Sequence, residues 1–143
     1  MYTREQIESA VKTKGYKWFE NGDYNVNIVG IRNMETGDRV TNRFDDHLTI
    51  SYKVDGEWCY EIFNCTTDPG DDWMDKPMLE KGCAILVPGQ YRGSHKLRLH
   101  QGKYLALGQH RPVKVYRDRD KDGMYDFDET TIDEGLFGIN IHR

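Results

Sequence analysis

The chain has 143 residues, of which 37% are hydrophobic and 31% charged, and this composition is typical of a folded domain rather than a disordered segment. Its formal net charge of -4 is unevenly placed, because residues 118–134 carry eight acidic and two basic side chains. The remainder is only slightly basic, so the sequence argues against a nucleic-acid partner, which would require a concentrated basic face.

Neither a membrane span nor a signal peptide is predicted. No apolar run approaches the ~18 residues of a spanning helix, so we expect no membrane partner. The N-terminus lacks a basic stretch followed by an apolar one, so we expect a cytoplasmic protein unless another system releases it. Three cysteines without a secretion signal predict free, buried thiols and no zinc site. They are Cys59, Cys65 and Cys83.

The first predicted element is a helix over residues 3–14. Thr3 and Gln6 have the spacing of a capping box. Apolar residues follow at helical spacing from Ile7, and Gly15 can end the helix in a left-handed conformation. The helical face is narrow, so we expect it to pack on one side of a sheet.

From residue 16 the apolar pattern has a period of two, which is typical of half-buried strands. Tight turns are predicted at Asn21-Gly22 and Asp55-Gly56, each joining two strands. In the second hairpin we expect both strands to place their larger apolar residues on one face, with aromatic cross-strand contacts. That predicted face comprises Leu48, Ile50, Tyr52, Val54, Trp58, Tyr60 and Ile62. The predicted strands of the two hairpins cover residues 16–19, 24–31, 48–54 and 58–62, with a polar turn at 36–38.

The second half of the chain also predicts short strands. Residues 96–110 fit either a hairpin about Gln101-Gly102 or irregular structure. The other elements are a surface loop at 66–77, a buried strand at 84–87 and a strand at 113–116. The sequence therefore predicts a mainly β fold (β-rich α+β) of antiparallel strands and hairpins, with one short N-terminal helix, in a single domain.

Residues 118–129 have the spacing of a calcium-binding loop, D-x-[DN]-x-[DN]-G-x₅-E. Calcium prefers about six to eight oxygen ligands, and this spacing wraps a chain around one point. Gly123 would allow the sharp turn, Met124 would offer its carbonyl, and Glu129 would close the site with two oxygens. Asp126 would bind directly or through water. The predicted calcium ligands are Asp118, Asp120, Asp122, Met124, Asp126 and Glu129.

The segments on either side of this loop favour strands over helices. Residues 113–116 alternate apolar and polar side chains, and Thr130-Thr131-Ile132 has high β propensity. We therefore expect a calcium loop between strands and not an EF-hand domain. The alternative is an acidic hairpin turn without an ion, since Asp-Gly pairs favour turns. The crowded carboxylates favour the ion, because they repel one another unless a cation lies between them.

Four phrases carry a resemblance to a known family. They are GDYNVNIVGIR at 22–32, VPGQY at 87–91, VYRD at 115–118 and GINIHR at 138–143. Taken in chain order, they resemble bacteriophage and gut-bacterial proteins related to L,D-transpeptidases. The last phrase is similar to the glycine-isoleucine-x-isoleucine-histidine strand that precedes the catalytic cysteine in that family. The resemblance implies a β-rich catalytic fold, peptidoglycan stem peptides as substrate and a cysteine nucleophile in a Ser-x-Gly-Cys motif.

His142 matches the family's histidine and is the catalytic residue that the resemblance implies. No Ser-x-Gly-Cys motif occurs up to Arg143, so we expect a domain that is incomplete at its C-terminus and inactive alone. Acyl transfer through cysteine needs a thiolate, an imidazole and oxyanion donors, and the histidine supplies one of the three. The three cysteines lie in alternating or apolar segments that predict core roles.

Two functions therefore stay open, and with them the question of whether the chain is an enzyme. The first is a phage-type cell-wall enzyme domain, of the kind found in endolysins, that performs cysteine acyl transfer or hydrolysis on stem peptides. Its release through pores made by another protein would fit the missing signal peptide. The second is a non-catalytic calcium-stabilised β module that is virion-associated or binds the cell wall.

Overall fold

The computed structural model describes residues 1–35, 43–69, 74, 76–77, 80–122 and 124–142. Their contacts form two units, Met1–Glu35 with Arg43–Thr67, and the described part of Asp68–Arg143. The paired strands are antiparallel and an α-helix lies at the N-terminus, so the prediction of a mainly β protein is confirmed. The single L,D-transpeptidase-like domain over residues 1–143 stays a prediction.

The first unit begins with helix α1, Arg4–Thr13. The predicted capping box is present, because Thr3 Oγ1 accepts from the Gln6 amide at 3.2 Å and Gln6 Oε1 accepts from the Thr3 amide at 2.9 Å. Gly15 follows with a φ of 77°, which favours glycine. Ile7 is buried on the inner face of the helix. The local prediction for this element is confirmed.

Three strands form the sheet of the first unit, in the order β1-β2-β3. The two-residue turn Asp55-Gly56 joins the last two strands, with both residues at positive φ, as a tight hairpin of this kind requires. The strands are β1 (Asn27–Ile31), β2 (Asp46–Val54) and β3 (Glu57–Cys65).

The predicted common face of this hairpin is wrong. A two-residue turn pairs Val54 with Glu57, and the register then pairs Tyr52 with Cys59 and Lys53 with Trp58. Because directly opposed residues share a face, the apolar residues of β2 lie with Cys59, while Trp58 and Tyr60 lie on the other side.

The predicted strand at 16–19 and its hairpin are also wrong, because residues 16–20 form no strand and β1 begins only at Asn27. The Asn27 side chain forms the hydrogen bonds to the Phe19 backbone that a neighbouring strand would otherwise form. Its Oδ1 accepts from the Phe19 amide at 2.8 Å, and its Nδ2 donates to the Phe19 carbonyl at 2.7 Å. Tyr24, within the predicted strand, has a φ of 55°. A side-chain amide thus satisfies backbone groups that a strand would otherwise pair.

The second unit contains a three-stranded sheet and a hairpin. The sheet has the order β4-β7-β8, and β5 pairs with β6. An isolated bridge joins Leu107 to Ile141. Ile85, Val113 and Val115 are almost fully buried in the three-stranded sheet. The strands are β4 (Ala84–Leu86), β5 (His95–His100), β6 (Tyr104–Gln109), β7 (Val113–Arg117) and β8 (Asp133–Gly135).

The predicted strand at Thr130-Thr131-Ile132 is largely a 3₁₀ helix, Glu129–Thr131. Asp128 caps it, because its Oδ1 accepts from the Thr130 amide at 2.9 Å. The predicted turn at 36–38, residues 70–73 and 75 of the predicted loop, and Gly123 lie outside the described residues. In the described ranges, no helix is both long and apolar enough to cross a bilayer.

Candidate metal centre

The acidic loop begins where β7 leaves its sheet. The Asp118 amide donates to the Cys83 carbonyl at 3.2 Å, which continues the β4–β7 pairing by one step. Gly82, with a φ of 83°, lies so close that a Cβ there would collide with the Asp118 carbonyl. A glycine is therefore required for the backbone to approach Asp118.

Four aspartate side chains converge in this loop. One carboxylate oxygen from each lies within 4.8 Å of those of the other three. Two short turns bring them together, because Asp120 Oδ1 accepts from the Asp122 amide at 3.3 Å and Asp122 Oδ1 accepts from the Met124 amide at 2.9 Å. Such aspartate turns are a common local alternative to regular structure. The four-aspartate cluster comprises Asp118, Asp120, Asp122 and Asp126.

Burial differs sharply within the cluster. Asp120 and Asp122 are exposed and Asp126 is half-buried, whereas Asp118 is 1% exposed. Both carboxylate oxygens of Asp118 lack a hydrogen-bond partner among the described residues. The buried Arg117 precedes Asp118 at the end of β7, and its side chain points to the opposite side of the strand. There its Nη1 donates to the Gly82 carbonyl at 3.1 Å. A buried carboxylate without donors is costly unless it is protonated or bound to a cation.

The cluster is electrostatically strained in the absence of a cation. Burial, and after it the neighbouring carboxyls of Asp120 and Asp126, raise the pKa of the Asp118 carboxyl to about 7. Burial also raises the pKa of Asp126. The pKa of Asp120 is lowered, chiefly because the neighbouring Asp118 carboxyl, in its protonated form, favours the charged form of Asp120. Near neutral pH the four carboxyls therefore retain a proton that a bound cation would displace.

Aromatic contacts hold the C-terminal side of the loop. Phe127 packs edge-on against Tyr116 of β7, with ring centroids 5.8 Å apart. The Tyr125 hydroxyl donates to the Pro69 carbonyl at 2.7 Å. Asp126 lies between these two aromatic residues in the chain, and their contacts direct its carboxylate towards that of Asp118. The loop is thus fixed at both ends by groups outside the cluster.

The other two predicted ligands lie differently. Glu129 is exposed at the start of the 3₁₀ helix and is not one of the four clustered residues. Met124 donates its amide to Asp122, and its carbonyl as a ligand stays a prediction, as does the closing role of Glu129. The expectation of a loop between strands, without EF-hand helices, agrees with β7 before the loop and β8 after it.

His142 lies apart from the cluster, near the tip of the β5–β6 hairpin. Its ring stacks on His100 with centroids 4.3 Å apart and planes inclined by 15°. Its Nδ1 lies 3.1 Å from the Tyr104 hydroxyl. The bridge between Leu107 and Ile141 brings the C-terminal segment to this position. The histidine assigned by resemblance is therefore held in a group of three rings.

Cys65 and Cys83 are poor candidates for a nucleophile. Burial, and to a smaller extent the Asp46 carboxylate, raise the pKa of Cys65 to about 11. Burial likewise raises the pKa of Cys83, with a smaller contribution from Asp118. Both thiols are therefore largely protonated at neutral pH. The thiolate is the reactive form of a cysteine, so both are poor nucleophiles. The three cysteines are free, as expected, but they are half-buried and not buried as predicted.

The residues that contact His142, and those that contact Asp118, were not identified from the sequence. The ring contact of His100 and Tyr104 could have been found, because a hairpin about Gln101-Gly102 places them opposite each other. No local signal indicates that Gly82 and Cys83 contact Asp118, since they are far from it in the chain.

No family model matches the chain, no curated protein matches it and no solved structure matches it.

Proposed function

We propose that this chain is a calcium-stabilised β module in which Asp118, Asp120, Asp122 and Asp126 bind Ca²⁺. One observation carries the proposal: the Asp118 carboxylate is almost completely buried, has no hydrogen-bond partner among the described residues and lies within 4.8 Å of three further carboxylates. A hard divalent cation satisfies these oxygens and offsets their repulsion.

The ligand set favours Ca²⁺ over Mg²⁺. Oxygens that share one Ca²⁺ lie about 2.3–2.6 Å from it, so they lie at most about 5 Å from one another. The separations in the four-aspartate cluster are within this limit. Mg²⁺ usually keeps several waters and takes only one or two carboxylates. The Met124 carbonyl and the Glu129 carboxylate remain proposed additional ligands.

Calcium would act on stability because the four carboxylates are assembled only in the folded chain. A ligand that binds only the native state stabilises it by RT ln(1 + [L]/Kd). The loop connects β7 to β8, so the ion would hold the end of one strand against the start of the next. The role in a virion or at a cell wall stays part of the proposal.

The test is thermal unfolding in calcium and in excess chelator. We expect calcium to raise the Tm of the wild-type chain and to have little effect on Asp122→Ala, which removes an exposed ligand that an asparagine could still replace. Glu134→Ala is the matched control, because Glu134 is an exposed acid of β8 outside the cluster. An equal calcium response in all three proteins would overturn the proposal.

The second candidate is a peptidoglycan-active cysteine enzyme domain that is similar to L,D-transpeptidases, acts on stem peptides and uses His142 as the catalytic base. The Tyr104 hydroxyl at His142 Nδ1 favours it, because an oriented imidazole is one part of such a site. The test is a muropeptide-cleavage assay with wild type and His142→Ala. Turnover that His142→Ala abolishes would support the enzyme and would make one of the three cysteines the nucleophile, against the expectation that the chain is inactive alone. A calcium response without turnover supports the first candidate alone.

A further inference from the structure

Strand β5 has an edge that carries unpaired backbone groups. Leu107 exchanges both of its backbone hydrogen bonds with Ile141, at 3.0 and 2.8 Å, so it makes none with Leu97, which lies opposite it in β5. In an antiparallel ladder, hydrogen-bonded and non-hydrogen-bonded pairs alternate. The Leu99–Leu105 pair is therefore also non-hydrogen-bonded. The amides and carbonyls of Leu97 and Leu99 thus point away from β6.

This edge is also uncovered. The four central residues of β5 are exposed, with Leu97 at 69% and Leu99 at 60%. The described residues provide no backbone partner for Leu97 or Leu99 on the outer side. Opposite them on β6, Leu105 is 69% exposed on the same face of the hairpin. An exposed edge with apolar side chains is a template for another strand.

The hairpin lies in a segment without acidic residues. Residues 82–117 contain no aspartate or glutamate. Lys96 is exposed on the face opposite the leucines, and Arg98 leans across that face, where its Nη2 donates to the Gln109 carbonyl at 2.8 Å. The basic residues of the segment are Arg92, Lys96, Arg98, Lys103, Arg111, Lys114 and Arg117.

We propose that the outer edge of β5 binds an extended acidic peptide segment of a partner protein by strand addition, with its aliphatic side chains beside Leu97 and Leu99 and its carboxylates beside Lys96. Successive side chains of an added strand point to opposite faces of the hairpin, one apolar and one basic. The peptide must therefore alternate aliphatic and acidic residues. The unpaired backbone groups would provide hydrogen bonds and the side chains would provide selectivity.

The same charges argue against a second copy of this chain as the occupant. If two β5 strands paired with each other, Lys96 and Arg98 of one copy would face the same cations of the other. Like charges directly opposite across strands are destabilising, and lysine on an edge strand disfavours self-pairing. Complementary charge therefore selects an acidic strand.

The experiment uses the full chain and three strand-length capped peptides, which are an alternating glutamate–valine peptide, an alternating lysine–valine peptide and the first peptide with N-methylated backbone amides. We expect saturable binding of the first peptide alone. We also expect slower hydrogen exchange of the Leu97 and Leu99 amides in the complex, while the Arg98 amide, already bonded to β6, changes little. The Lys96→Glu variant should bind about fivefold more weakly, whereas the control Lys14→Glu, at the residue that follows helix α1, should bind normally.

Several outcomes would overturn the proposal. They are equal binding of the N-methylated peptide, binding without protection of Leu97 and Leu99, or no saturable binding of the acidic peptide. Binding of phosphatidylserine vesicles without peptide binding would instead assign the exposed leucines and cations to a lipid surface. Concentration-dependent dimerisation that Lys96→Glu strengthens would assign the edge to a second copy. Calcium is absent from the peptide assays, so their result is independent of the metal proposal.

Discussion

The Asp118 amide donates to the Cys83 carbonyl, and this bond places the first aspartate of the loop inside the second unit rather than in solvent. The position has two consequences. The carboxylate loses its hydration, and the exposed aspartates that follow must fold back over it to form the cluster. The last residue held by the β4–β7 pairing is thus also the most buried member of the proposed calcium site.

Replacing Gly82 with alanine should destabilise the protein more than a comparable change elsewhere. A Cβ at Gly82 would collide with the Asp118 carbonyl, whereas one at Gly22 meets nothing within 4 Å. Both glycines have positive φ, 83° and 80°, so both variants lose about 1 kcal/mol to backbone strain. We expect a further ~1–3 kcal/mol for Gly82→Ala alone. Urea unfolding of the two variants measures this difference, and equal losses would contradict the close approach.

Replacing Asp118 with asparagine should have opposite effects with and without calcium. In chelator at pH 8, the variant lacks the buried charge and should be at least as stable as wild type. In calcium at about 100 times Kd, wild type should gain about 2.7 kcal/mol, or roughly 5–10 °C in Tm, and the variant much less. Scanning calorimetry of both proteins in both buffers measures whether the order of their stabilities reverses. A variant that is less stable in both buffers would indicate a purely structural role for Asp118.

The pH dependence of the metal-free protein follows from the raised pKa of Asp118. An unfolded aspartate has its ordinary pKa of 3.8, and burial raises the folded value to about 7. The native state therefore binds more protons in this interval, so the stabilising contribution is complete below pH 3.8 and is lost as pH rises towards 7. Urea unfolding in chelator should show this decrease in wild type and not in Asp118→Asn.

Calcium binding should release protons near neutral pH for the same reason. The ion requires ionised carboxylates, so its affinity should increase as Asp118 loses its proton, up to about pH 7. Titration calorimetry in buffers of different ionisation enthalpy measures the released protons. Binding at pH 7 without proton release would show that Asp118 is already ionised in the free protein.

Features that depend on neighbouring residues were predictable from the sequence. The capping box of Thr3 and Gln6, the turn at Asp55-Gly56 and the convergence of the loop aspartates each depend on a few consecutive positions. Features that depend on distant pairing were not. The burial of Asp118 requires β4, and the stacking of His142 on a second histidine requires the C-terminal segment to pair with β6. The hairpin faces were misassigned although the turn was correct, because a shift of one residue reverses every side chain.

Asp46 provides a test of the first unit that is independent of the metal site. Its carboxylate is 7% exposed and accepts from the Asn33 amide at 2.7 Å and from the Thr67 amide and hydroxyl at 2.8 and 2.6 Å. Asp46→Ala leaves these donors without an acceptor, so we expect a loss of about 2–4 kcal/mol in the free energy of unfolding. The control Asp45→Ala removes only a 3.4 Å contact with the Asn33 side chain and should cost less than about 0.5 kcal/mol. Urea unfolding in chelator measures both losses, and similar values would show that Asp46 does not anchor the segments that follow β1 and β3.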